Sequence, residues 1–75
     1  MKVAIDFGIS NTDIAVSNDA NVDFFTIPST KINHLILDEI FEQINIDIDL
    51  IDKIAVTGGK SDSLDSIYKT IEVIK

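Results

Sequence analysis

The sequence predicts an α/β fold built on a small mixed sheet. Val3 to Phe7 is a short apolar run, interrupted only by Asp6 and closed by Gly8, and two more short runs follow across tight polar turns. Beyond Pro28 the apolar spacing changes from strand-like to helical, and a fourth strand-like run ends at Gly58-Gly59. Short strands joined by tight turns form an antiparallel meander, whereas a helix between two strands is a crossover to a parallel neighbour.

Each element has its own local reason. Val3 to Phe7 reads as a buried strand, and Ile14-Ala15-Val16 as its hairpin partner. Asn18-Asp19-Ala20-Asn21 is turn chemistry, because Asn and Asp side chains bond to nearby backbone. Val22 to Ile27 is the third strand, stopped by Pro28, which lacks the N–H a ladder needs. Ser29 or Thr30 is the expected N-cap of a helix. In it Ile32, Leu35, Ile36, Ile40, Phe41 and Ile44 recur at helical spacing, with Asp38, Glu39 and Glu42 largely on the other face. This helix is expected to end near 43–45. The stretch 46–52 alternates like an edge strand, but also suits a loop that tucks its isoleucines under the sheet. The loop is the preferred reading. Lys53 to Thr57 is the fourth strand, and Ser61 or Asp62 caps a last helix with Leu64, Ile67, Tyr68, Ile71 and Ile74 on its apolar face. The order is β-β-β-α-β-α, with two helices. A fourth strand parallel to the first gives the sheet order 3-2-1-4. Gly8–Thr12 and Gly58–Ser61 then face one crevice at the carboxyl ends of the strands, the usual ligand position in open α/β sheets.

Composition narrows the function classes. The 75 residues amount to a single domain or a part of one. Thirteen acids against six lysines, with no arginine, give a net charge of −7. That balance disfavours nucleic acid and anionic membrane as partners, since both are held by clustered Lys and Arg. The absence of cysteine removes disulfides, thiolate metal sites and cysteine nucleophiles. No apolar run approaches the ~20 residues that span a bilayer, and Asp6 breaks the apolar stretch a signal peptide would need. A soluble, cytoplasmic chain is the expectation.

Two segments can carry chemistry. In Asp6-Phe7-Gly8-Ile9-Ser10-Asn11-Thr12 a carboxylate ends a strand and a tight turn of small polar residues follows. Such a turn suits Mg²⁺ and phosphate. Gly8 admits a ligand close to the backbone, while N–H groups and the Ser10 and Thr12 hydroxyls can donate to phosphate oxygens. Asp6 can hold a hydrated Mg²⁺, which typically takes one or two carboxylates plus phosphates. The bland alternative is a hairpin turn with an incidental acid. The second segment, Thr57-Gly58-Gly59-Lys60-Ser61, joins a strand to an expected helix, a natural anion site. It is not a P-loop, because Ile54 stands where that motif needs a glycine. Its bland alternative is a strand exit chosen for conformation.

Other features read as structural. Asp47, Asp49 and Asp52 miss the EF-hand spacing, with Ile51 and Asp52 where its third ligand and glycine belong. His34 has no ligand partner nearby in sequence. Phe24-Phe25 reads as sheet packing.

The hairpin segment matches the pattern Asp-x-Gly-x-[Ser/Thr]-x-[Ser/Thr], here Asp6 to Thr12. With the element order, it resembles the ribonuclease-H-like N-terminal lobe of the actin, heat-shock-70 and sugar-kinase superfamily (ASKHA). Within it the chain is most similar to the type II pantothenate kinases, which open with Met-Lys-Val-x-Ile-Asp, as Met1 to Asp6 do, and carry a Leu-Thr-Gly-Gly run like Val56 to Gly59. The resemblance covers essentially the whole chain, 1–75, as a partial lobe. It implies an ATP-dependent kinase that phosphorylates pantothenate, the first step toward coenzyme A, with ATP and Mg²⁺ as cofactors. Asp6 would be the catalytic and metal-binding acid. Gly8, Ser10, Asn11 and Thr12 would line the phosphates, and Gly58 and Gly59 the cleft floor.

Departures from the pattern keep alternatives open. Gly8-Ile9-Ser10 replaces a common Gly-Gly-Thr, and acidic Asp13 stands where a basic residue often follows. Asn11-Thr12-Asp13 also resembles the opening of hydantoinase/oxoprolinase-type ATPases, although those usually have Gly-Thr-Thr where Thr57-Gly58-Gly59 stands. The superfamily binds nucleotide between two lobes, and its kinases place a catalytic glutamate after a later strand. The 75 residues are therefore expected to stop before the strand that completes the sheet and to be inactive alone. They would need a second lobe or a homo-oligomer partner. A stand-alone, non-catalytic interaction module, dimerising through the free edge of the fourth strand, is the further alternative.

Overall fold

The computed structural model describes residues 1–32, 36–59 and 72–74, without the side chains of Ile36, Glu72 and Val73. β1 (Lys2–Phe7) and β2 (Asn11–Ser17) form an antiparallel hairpin that sets Phe7 opposite Thr12. β3 (Val22–Pro28) extends the meander, with Ser17 opposite Val22 and Asn11 opposite Pro28. β4 (Lys53–Gly58) runs parallel to β1, from Lys2 opposite Lys53 to Phe7 opposite Gly58. β5 (Glu72–Ile74) lies parallel on the outer side of β4. The sheet order is β3-β2-β1-β4-β5, which contains the expected 3-2-1-4 arrangement.

Strand alternation divides the sheet into two unlike faces. Val3, Ile5 and Phe7 of β1, Ile14 and Val16 of β2, and Ile54 and Val56 of β4 are buried, while Lys2, Ala4, Asp6, Asp13 and Ala55 between them are exposed. Among the described residues only the first face is covered. α1 (Ile36–Gln43) packs there through Leu37, Ile40 and Phe41, with Ile27, Ile32 and Ile51 completing the core. Full burial of one such side chain is worth about 1.5–3 kcal/mol.

α1 ends in a Schellman motif. Asn45 takes a left-handed φ of 57°, Ile46 N–H donates to the Phe41 carbonyl at 3.0 Å, and Asn45 N–H donates to Glu42 at 3.3 Å. Asn tolerates that backbone conformation better than other non-glycine residues, so it stops the helix within the expected 43–45. The 46–52 stretch is a loop with one 3₁₀ turn (Ile48–Leu50), as preferred. Ile46 and Ile48 are half-buried against the core and Ile51 is buried, as a tucked loop requires. The carboxylate of Asp47 caps that turn by accepting from Asp49 N–H, so a local backbone bond explains its presence.

Three expectations need correction. The helix does not begin at Ser29 or Thr30. Ser29–Lys31 is a 3₁₀ turn, Ile32 is extended and buried, and α1 starts by Ile36, with 33–35 (including His34 and Leu35) outside the described residues. The last helix does not reach Ile74, because Glu72–Ile74 is a strand; its remaining expected residues, 61–71, also lie outside the described ones. A β-branched Val-Ile pair fits a strand as readily as a helix face, and the exposed hydrogen-bonding edge of β4 decides between them. The sheet therefore gains a fifth strand within the 75 residues, and the inner edge of β5 occupies the β4 edge that was expected to be free for dimerisation.

The start of β1 is tied to the start of β4. Asp52 N–H donates to the Met1 carbonyl at 2.8 Å, and the Met1 ammonium donates to Asp52 Oδ2 at 2.8 Å. The ammonium hydrogen bond and its charge hold the Asp52 carboxyl below its ordinary value of 3.8, and Lys2 adds a smaller pull. A carboxyl with a depressed folded-state pKa adds stability above the unfolded value and loses it as pH falls through the folded one. Asp52→Asn should therefore be slightly less stable than the parent at pH 7, with the gap closing below about pH 4. Urea unfolding at both pH values reads this directly. In the same assay Ile54→Ala, at a fully buried site, should cost about 2–5 kcal/mol. Ala55→Ser on the uncovered face should stay within about 0.5 kcal/mol.

Candidate functional site

Two glycine turns meet at the carboxyl edge of β1 and β4. At the β1–β2 turn Gly8 N–H donates to the Asn11 carbonyl at 3.0 Å, and a Cβ on Gly8 would collide with that oxygen. At the end of β4, Gly58 has φ 96° and a Cβ there would strike the Phe7 backbone. The next N–H, from Gly59, donates to the Phe7 carbonyl at 3.1 Å. Gly59 itself has open space where a Cβ would go, so sterics demand glycine at 8 and 58 but not at 59.

Between the turns lies an open cleft of about 360 Å³ lined by Phe7, Gly8, Ile9, Ser29, Thr30 and Gly59. Ser29 ties it together. Its N–H donates to the Ser10 carbonyl at 2.9 Å and its hydroxyl to the Gly8 carbonyl at 2.7 Å. The Ser29 hydroxyl has one hydrogen, and Gly8 takes it. Thr12 must therefore donate in the 3.0 Å bond between the two hydroxyls. The chain Thr12→Ser29→Gly8 is buried at its Thr12 end, where no solvent reaches the side chain. It locks the turn after β3 onto the turn after β1.

This placement separates the expected site residues. Gly8, Ser10, Asn11, Gly58 and Gly59 are exposed at the edge. The N–H groups of Ile9 and Ser10 make no hydrogen bond to a described residue and stay available to a ligand. Thr12 points into the core with its only hydrogen committed, which suits it to hold the turn from behind. Asp6 lies on the opposite, uncovered face, beside Asp13 on β2 and Thr57 on β4. Asp13 accepts from the Thr26 hydroxyl at 2.9 Å, whereas the Asp6 carboxylate has no hydrogen bond or ion pair to a described residue. Two carboxylates directly opposite each other are mutually destabilising, so a cation near Asp6 would relieve them. Among the described residues no three acidic or histidine side chains gather into a ligand set. Lys60 and Ser61 lie outside the described residues.

Ser29 and Thr30 have the sequence features of a helix cap, which conceals their place in the cleft. The signal was the register. The four-residue turn Asn18–Asn21, closed at 3.0 Å, sets Ser17 against Val22. Counting back along both strands puts Pro28 opposite Asn11 and so delivers Ser29 to Ser10.

No helix among the described residues is long and apolar enough to cross a membrane. No protein-family model matches the chain, and no curated protein is significantly similar to it.

The hydroxyl chain predicts an order of mutational cost. Ser29→Ala strands both the Gly8 carbonyl and the Thr12 hydroxyl and should cost about 1–3 kcal/mol. Thr12→Val leaves Ser29 still bonded to Gly8 and should cost less. In a double-mutant cycle by urea unfolding the two losses should be less than additive, because the second change removes a partner already lost.

Proposed function

We propose that the chain is the phosphate-binding part of an ATP-dependent small-molecule kinase with a ribonuclease-H-like lobe, acting on pantothenate. One observation supports this most. The two glycine turns that the resemblance assigns to nucleotide binding, 46 and more residues apart in sequence, meet at one strand edge and flank one cleft.

The residues present fit Mg²⁺·ATP. Gly8 leaves room for close approach, Ile9 and Ser10 offer backbone N–H groups, and the Ser10 hydroxyl and Asn11 amide are exposed beside them. Bound Mg²⁺ would neutralise charge on the phosphates. Asp6 is the last carboxylate on β1 before the edge and would hold that ion through water, the usual mode for this hydrated cation. Thr12 and Ser29 would keep the turn rigid, and preorganisation of such donors supplies much of the stabilisation in phosphoryl transfer. The 75 residues offer one wall of the cleft, so nucleotide binding without turnover is the expected behaviour of this chain alone.

Isothermal titration with Mg²⁺·ATP tests this reading. Binding should weaken on removal of Mg²⁺ for the parent, and much less so for Asp6→Asn. Gly59→Ala should leave unfolding unchanged, since its Cβ meets nothing, yet weaken nucleotide binding by crowding the cleft. Absence of binding, or binding indifferent to both changes, contradicts the proposal.

A further inference from the structure

The uncovered face of the sheet is organised in three bands. In the middle, Phe24, Ala15, Ala4, Ala55 and Ile74 stand opposite one another across all five strands. Phe24 is 79% exposed and Ile74 43%, large apolar side chains at the two ends of a floor of alanines. The floor underlies a hollow of about 430 Å³. Toward the carboxyl edge lies the band of Asp13 and Asp6. Toward the other edge lies Lys2, with Lys53 opposite it on β4 and Glu72 opposite Lys53 on β5. No described element covers this face.

This pattern is complementary to itself under one symmetry only. A two-fold axis along the alanine band turns a second copy over, so that apolar band meets apolar band and each lysine end meets the other's acidic end. An axis along the strands would instead set lysine on lysine and acid on acid. We infer that the uncovered face docks a second copy of this chain, sheet on sheet with strands reversed, with Lys2 of each copy against the Asp6 and Asp13 band of the other. The contact is isologous, as in most homodimers. At the β3 end of the axis the exposed Phe24 of each copy packs on the Phe24 of the other. Four strands of about six residues and the three-residue β5, about 4.8 Å apart with about 3.3 Å per residue, give about 430 Å² per chain. Two faces bury about 860 Å², below the roughly 1,000 Å² of a stable specific interface, so the dimer is weak and reversible.

The inference does not depend on the nucleotide reading. Asp6 is shared by both, so the test uses Asp13 and omits Mg²⁺ and nucleotide. The experiment is sedimentation equilibrium at about 0.15 M salt, where a Debye length of about 8 Å screens the long-range repulsion between two acidic chains. The parent should show a concentration-dependent monomer–dimer equilibrium. Lys2→Glu sets acid against acid and Asp13→Lys sets lysine against lysine, so each alone should associate at least about tenfold more weakly. An equimolar mixture of the two variants sets the introduced glutamate against the introduced lysine at one end and keeps Lys2 against Asp6 and Asp13 at the other, so it should associate more tightly than either variant alone, which also shows that both variants fold. A parent that stays monomeric into the millimolar range, single variants that dimerise like the parent, or a mixture no stronger than its components would each overturn it.

Discussion

Parallel pairing of β1 with β4 is the constraint on which the rest of this structure depends. It sets Phe7 beside Gly58 and so brings two turns, distant in sequence, to one edge. The pairing is possible only because α1 and the 46–52 loop carry the chain back across the sheet, and their apolar side chains cover the face they cross. The link between Met1 and Asp52 holds the other end of the same pair in register. Core, cleft and uncovered face are three consequences of that one alignment. Residues with odd numbers on β1 enter the core, those with even numbers face outward, and the strand ends supply the glycines.

The alignment also explains why the site is divided. A carboxylate two residues before Gly8 must point away from the core, because Phe7 between them points into it. Asp6 therefore sits across the sheet edge from the cleft beside Ser29. A metal-bound phosphate would have to straddle the edge to meet both. Thr12 is subject to the same rule from the opposite strand, and its hydroxyl is spent on Ser29.

Much of this was legible in the sequence, because strand positions follow from local rules. The four strands over 2–58 and their order are written in short apolar runs, polar turns and a single crossover. The convergence of Gly8 with Gly58 follows from that order alone. Less legible was anything decided by tertiary partners. Ser29 has the sequence features of a helix cap, yet the Gly8 carbonyl claims its hydroxyl. Val73-Ile74 satisfies both helical and strand patterns, and only the exposed edge of β4 selects the strand. Leu37, three residues before Ile40 and four before Phe41, belongs to the same helical face although the expected set passes over it. Leu37, Ile40, Phe41 and Ile44 are the set that faces the core.

The central claim is that the two glycine turns form one phosphate-binding edge. Residue-resolved amide NMR of the 75-residue chain during titration with Mg²⁺·pyrophosphate tests it most directly, because this probe carries phosphates without a base or sugar. The account predicts saturable shifts of the Gly8, Ile9, Ser10 and Gly59 amides together, with those of β3 and the 46–52 loop unmoved. Shifts confined to one turn, or spread over the surface without saturation, would contradict it.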